Sequence, residues 1–120
     1  MKPEELMIGD VLEYMGTIVK VYSIGAKICV KECFGKNTYI VNFDNLLKGI
    51  ELTPEILEQN GFEECRIEEI EYYGWRLNED FSLERNAIDT LIWNDDVSIH
   101  SVHQLQHALR FCGINKEIEI

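Results

Sequence analysis

His103 and His107 stand four residues apart in the run Val102-His-Gln-Leu-Gln-His-Ala-Leu-Arg110. On a helix that spacing puts both rings on one face, where a pair of imidazoles can ligate a metal or pass a proton. A zinc protease needs a glutamate directly after the first histidine. Gln104 stands there instead, so the H-E-x-x-H pattern is missing. The commoner use of such a histidine is to pack its ring and hydrogen-bond a backbone carbonyl. His100, one residue before Ser101, reads as the end of a strand. Arg110 continues the flank one turn further on. His103, His107 and Arg110 are therefore read as a candidate binding flank, not as a catalytic set.

Asp95-Asp96 would offer paired carboxylates for acid–base or metal chemistry. Asn94 precedes the pair and apolar runs flank it, the pattern of a turn between strands. Cys29, Cys33, Cys65 and Cys112 are scattered. The C-x-x-x-C of Cys29 and Cys33 falls inside a strand pattern and lacks the close pairing of a zinc knuckle. A zinc site assembled from these, Cys65 and a helical histidine is therefore not favoured. Reduced thiols are expected, with no disulfide framework. No glycine-rich phosphate loop, G-x-S-x-G elbow or Cys–His arrangement occurs. We expect no catalytic residue, no metal and no cofactor, and read the chain as non-enzymatic.

The elements that carry these residues follow from periodicity and caps. Ser101 with Gln104 three residues on forms a capping box, and Val102, Leu105, Ala108, Leu109 and Cys112 make one apolar stripe. Gly113 supplies the stop, which predicts a helix over 102–112. Thr53 as N-cap, Pro54 in the first turn and Gly61 as stop predict a second, shorter helix over 54–60. Before it, Ile8–Tyr14, Thr17–Ile24, Lys27–Cys33 and Thr38–Phe43 are β-branched and aromatic runs separated by glycine-bearing turns. They predict four strands of a small SH3-like barrel or meander, and Asp44–Leu47 a single 3₁₀ turn. Ile50 and Leu52 alternate as a short strand. Between residues 65 and 100, strands are expected at Cys65–Tyr72, Trp75–Leu77, Phe81–Glu84, Ile88–Trp93 and Val97–His100. Turns fall at Tyr73-Gly74, Asn78–Asp80, Arg85-Asn86 and Asn94–Asp96. The fold class is α+β: a β lobe over 1–50, then a helix–antiparallel sheet–helix lobe over 51–120.

Two blocks resemble a known family. Leu52-Thr-Pro-Glu-Ile-Leu-Glu-Gln-Asn-Gly-Phe-Glu63 and, later, Val102-His-Gln-Leu-Gln106 are similar to those of small uncharacterised proteins encoded in phages and integrated mobile elements of gut Bacteroidales. The opening Leu6-Met-Ile-Gly-Asp-Val-Leu-Glu-Tyr14 resembles the family's start, and the order of blocks agrees along most of the chain. Where members often end in a Tyr-Phe-Ala-Leu-Thr-Gly-like segment, this chain has Ala108-Leu-Arg-Phe-Cys-Gly113. The resemblance implies a phage-related accessory role and no particular chemistry.

Charge narrows the partner. The 22 Asp and Glu outnumber 11 Lys and Arg, for a net charge of −11, and the acid excess gathers between Glu51 and Glu84. Phosphate backbones are repelled by such a chain unless a local basic patch exists; Lys27, Lys31 and Lys36, or His103, His107 and Arg110, are the candidates. The acidic stretch reads as a solvated face, with imitation of a nucleic acid as the sharper alternative. The N-terminal Met-Lys-Pro-Glu-Glu-Leu has no apolar h-region and no run is long enough to span a bilayer, so a cytoplasmic protein is expected.

Aromatics supply the remaining binding candidates. Tyr14, Tyr22, Phe34 and Tyr39 lie in the first lobe, and at least half of them should be buried in its core. Tyr72 and Tyr73 are adjacent, so on a strand one of them should be exposed as an anchor. We expect a protein partner or self-association through Tyr72, Tyr73, His103, His107 and Arg110. The alternative is a nucleic-acid role, through mimicry or through the β lobe.

Overall fold

The computed structural model describes residues 5–41, 46–67, 72–85, 91–93 and 97–120. The chain divides into two compact units, Met1–Ile50 and Glu51–Ile120. Each carries a five-stranded antiparallel sheet, and the second also carries both helices. The class is α+β, as the sequence predicts.

The first unit runs β1 (Val11–Tyr14), β2 (Thr17–Ile24), β3 (Ile28–Glu32), β4 (Thr38–Val41) and β5 (Leu47–Gly49), in the order β4-β3-β2-β1-β5. Of the two expected forms, barrel or meander, the described residues form the open one: no barrel is closed among them, and the fifth strand returns beside the first. The short strand expected at Ile50 and Leu52 forms earlier, as β5: Leu47-Lys-Gly is too short to show alternation, but it pairs with β1 through Leu12↔Gly49, Glu13↔Lys48 and Tyr14↔Leu47. The β1–β2 connection is a tight hairpin in which Met15 (φ 50) and Gly16 (φ 83) both adopt left-handed conformations. Alternation turns Leu12, Val19, Val21, Ile28, Val30, Val41 and Leu47 into one core, closed by Leu6 and flanked by Tyr14, Ile24 and Tyr39.

The first strand starts later than Ile8 because a turn intervenes. The buried Asp10 carboxylate accepts the Met7 N–H at 2.8 Å, while Gly9 N–H donates to the Val21 carbonyl at 2.7 Å. A buried carboxylate is tolerated where backbone N–H groups satisfy it. Of the four candidate aromatics, Tyr14 and Tyr39 pack on the core with ring centroids 5.3 Å apart, whereas Tyr22 and Phe34 are exposed.

The second unit runs α1 (Pro54–Gln59), β6 (Glu63–Ile67), β7 (Tyr72–Asn78), β8 (Phe81–Arg85), β9 (Leu91–Trp93), β10 (Val97–Ile99) and α2 (Val102–Phe111), with sheet order β10-β9-β8-β7-β6. The short helix forms for the reasons its sequence advertises. Thr53 Oγ1 accepts the Ile56 N–H at 3.3 Å, Pro54 opens the first turn, and Gly61 (φ 87) ends it. Gly61 N–H donates to the Glu58 carbonyl and Phe62 N–H to the Leu57 carbonyl, the paired bonds of a Schellman stop.

β7 overturns one expected turn. Tyr73-Gly74 lies within the strand, because Gly74 is where β8 comes closest: a Cβ there would collide with the Leu83 carbonyl oxygen. The glycine permits close approach of two strands and does not mark a reversal. The Asn78–Asp80 turn forms as expected, with Asn78 Oδ1 accepting the N–H groups of Asp80 (2.8 Å) and Phe81 (3.0 Å). Arg85 belongs to β8, and the expected turns at Asn86 and at Asn94–Asp96 lie outside the described residues, as do residues 44 and 45 of the expected 3₁₀ turn at 44–47, whose Leu47 instead opens β5.

Candidate functional site

α2 is set by both its ends. Gln104 Oε1 accepts the backbone N–H of His100 at 2.7 Å and of Ser101 at 3.2 Å, which completes the predicted capping box from the glutamine side. At the other end Gly113 (φ 74) N–H donates to the Arg110 carbonyl and Ile114 N–H to the Leu109 carbonyl. A backbone bridge between Glu51 and Ser101, with Leu52 N–H donating to the His100 carbonyl at 3.0 Å, ties the start of α2 to the segment leading into α1. Val102, Leu105, Ala108 and Leu109 are buried along the predicted stripe. Cys112 departs from it: the residue is the C-cap, the helix has already ended, and its side chain is exposed.

The two helical histidines do meet. Their ring centroids are 5.7 Å apart with planes at 82°, edge to face. His103 is buried, and its Nδ1 lies 3.0 Å from the side-chain hydroxyl of Ser101. His107 is half-buried, and Arg110 is exposed in the last turn. Arg110 adds positive charge where the helix dipole favours it. Among the described residues no group of three or more His, Cys, Asp or Glu side chains is placed to hold a metal ion. All four cysteines are free thiols.

His107 also faces a groove that its sequence position does not announce. Trp93, Val97, Ser98 and Ile99 from β9 and β10, and Gln104, His107, Ala108 and Phe111 from α2, line an open groove of about 270 Å³. Its walls are apolar, and Ser98, Gln104 and His107 supply its polar atoms. Phe111 is 82% exposed, yet its ring meets Trp93 edge to face with centroids 5.6 Å apart. Trp93 stacks on Phe81 at 6.1 Å and 20°, and Phe81 meets Phe62 at 6.1 Å and 76°. Four rings thus run from the core, where Phe62 and Phe81 are buried, to the exposed rim. Each such contact contributes about 0.5–1.5 kcal/mol beyond burial.

Of the residues expected to bind, the structure brings His103 and His107 together and sets His107 on the groove. Tyr72 and Tyr73 open β7, where Tyr72 is in register with Ile67 and Tyr73 with Arg66 and Arg85; their side chains lie outside the described residues. Asp95-Asp96 lies outside them as well. Trp93 and Phe111 were not singled out. The available signal was the spacing of Gln104, His107 and Phe111, three and then four residues apart, a second helical line beside the buried stripe.

Among the described residues no helix is long and apolar enough to cross a membrane. Comparison of the chain with protein-family models, with curated proteins and with solved structures returns no match.

Proposed function

We propose that this chain is a non-enzymatic accessory protein of a phage or mobile element that acts by binding another protein, and that the groove between β9–β10 and α2 receives the partner. The observation that carries the reading is Phe111, an aromatic ring held in the open at the mouth of an apolar groove by its contact with Trp93. Aromatic side chains are favoured as anchors that a partner covers.

Charge selects the partner. The second unit contains sixteen acidic against five basic residues, so the groove belongs to a strongly negative body. A segment with one aliphatic or aromatic side chain for the groove, flanked by lysine or arginine, complements both features. Val97, Ile99 and Ala108 in the lining suit an apolar group, whereas catalysis would call for convergent charged or nucleophilic groups. The first unit's meander, with a fifth strand returning beside the first, is compatible with an SH3-like ancestry for that lobe.

The test is selection from a displayed peptide library on the full chain, with counter-selection on the Phe111→Ala variant. Peptides with a single large apolar residue among basic ones should emerge and should ignore the variant. An acidic consensus, or equal capture by both proteins, would contradict the reading.

A further inference from the structure

The outer face of the first unit's sheet points to a second site, separate from the groove. Lys20 and Lys31 are directly opposed across β2 and β3, and both side chains are exposed. Among the described residues neither is held in an ion pair. Like charges in register destabilise a sheet, so this pair costs stability unless an anion lies between them. On the same face the β1–β5 pairing sets Glu13 opposite Lys48, where the charges compensate. The mismatch is therefore local to β2–β3.

The acid excess does not reach this unit. It contains six lysines and six carboxylates, while the second unit accounts for the whole net charge of −11. Two of those carboxylates are committed inward: Asp10 to the Met7 N–H, and Glu32 Oε2 to the Tyr39 hydroxyl at 3.2 Å. One row along from the lysines, beside a β-bulge between Val21 and Ser23, Tyr22 is 50% exposed. Ile40, in register with Cys29, continues that row and is 66% exposed. Rows on one face of a strand repeat every two residues, about 6.8 Å.

We propose that this face, centred on Lys20, Lys31 and Tyr22, binds single-stranded nucleic acid, with the lysine pair on a phosphate and the tyrosine ring stacked on the adjacent base. A lysine pair without a carboxylate, beside an exposed ring, is the combination that a polyanion with flat bases fits. An acidic peptide would satisfy the lysines but leave Tyr22 uncovered.

Fluorescence anisotropy of a labelled oligothymidylate titrated with the full chain at low ionic strength tests this. Saturable binding is expected, with a log–log salt slope of about −0.7 for the one phosphate that the lysine pair neutralises. The Lys20→Gln/Lys31→Gln variant should lose about tenfold in affinity and most of that slope. Tyr22→Ala should lose at least about fivefold. Both lysines are exposed and their repulsion is removed, so the double variant should unfold no earlier than the parent, which separates lost binding from lost folding. Absence of binding, unchanged affinity in the double variant, or equal competition by polyglutamate would overturn the proposal. The protein-binding groove would stand in any of these cases.

Discussion

Three side chains show how much single residues decide here. Asn60 is buried at the end of α1 and replaces a missing strand: its Nδ2 donates to the Ile56 carbonyl at 2.7 Å and the Glu119 carbonyl at 2.8 Å, while Oδ1 accepts the Glu119 N–H at 2.6 Å. The C-terminal segment is thereby fastened, with Ile118 buried beside its clamp. Gly74 acts by having no side chain. Gly74→Ala forces β7 away from the Leu83 carbonyl and should cost about 1–3 kcal/mol, measured by urea unfolding. An unchanged midpoint would mean that the strands are not so close. Cys33 responds to pH. Burial pushes its thiol up and the nearby Lys20 ammonium pulls it partly back, with burial the larger effect. Its alkylation rate should therefore rise with pH later than that of an ordinary cysteine. Lys20→Gln should move the curve further upward; a downward move would show that the ammonium does not favour the thiolate.

At the scale of elements, turn chemistry and caps settle most boundaries. Met15 occupies the first left-handed position of the β1–β2 hairpin, where asparagine or glycine is usual. Its side chain is 72% exposed, so no packing offsets the strain. Met15→Asn should stabilise the protein by about 0.5–1 kcal/mol, read as an upward shift in the unfolding midpoint. A loss would mean that the methionine makes a contact that matters. Both helices were legible in the sequence because Thr53, Gly61, Ser101, Gln104 and Gly113 are start and stop residues whose chemistry is local. The position of β5 was not, because three residues carry no period and β1 recruits them from far along the chain. Gly74 misled for a related reason: from sequence alone, a glycine that ends a strand and one that admits a neighbouring strand look identical. The groove was harder still. Trp93 and Phe111 meet only once β9, β10 and α2 are assembled, and neither residue's neighbours mark it as special.

At the scale of the molecule, two units of similar architecture differ in electrostatics. The first is balanced and exposes a small basic face, whereas the second concentrates the acid and carries the groove. On the proposed readings, that division would let one chain meet partners of opposite charge. The most direct measurement is calorimetric titration of a selected basic peptide with an apolar anchor into the wild-type chain and into Phe111→Ala. Phe111 is exposed, so its removal should leave the unfolding midpoint nearly unchanged while weakening binding by at least about tenfold, as truncation of a central aromatic anchor does. Equal affinity for the two proteins would contradict a groove anchored by Phe111.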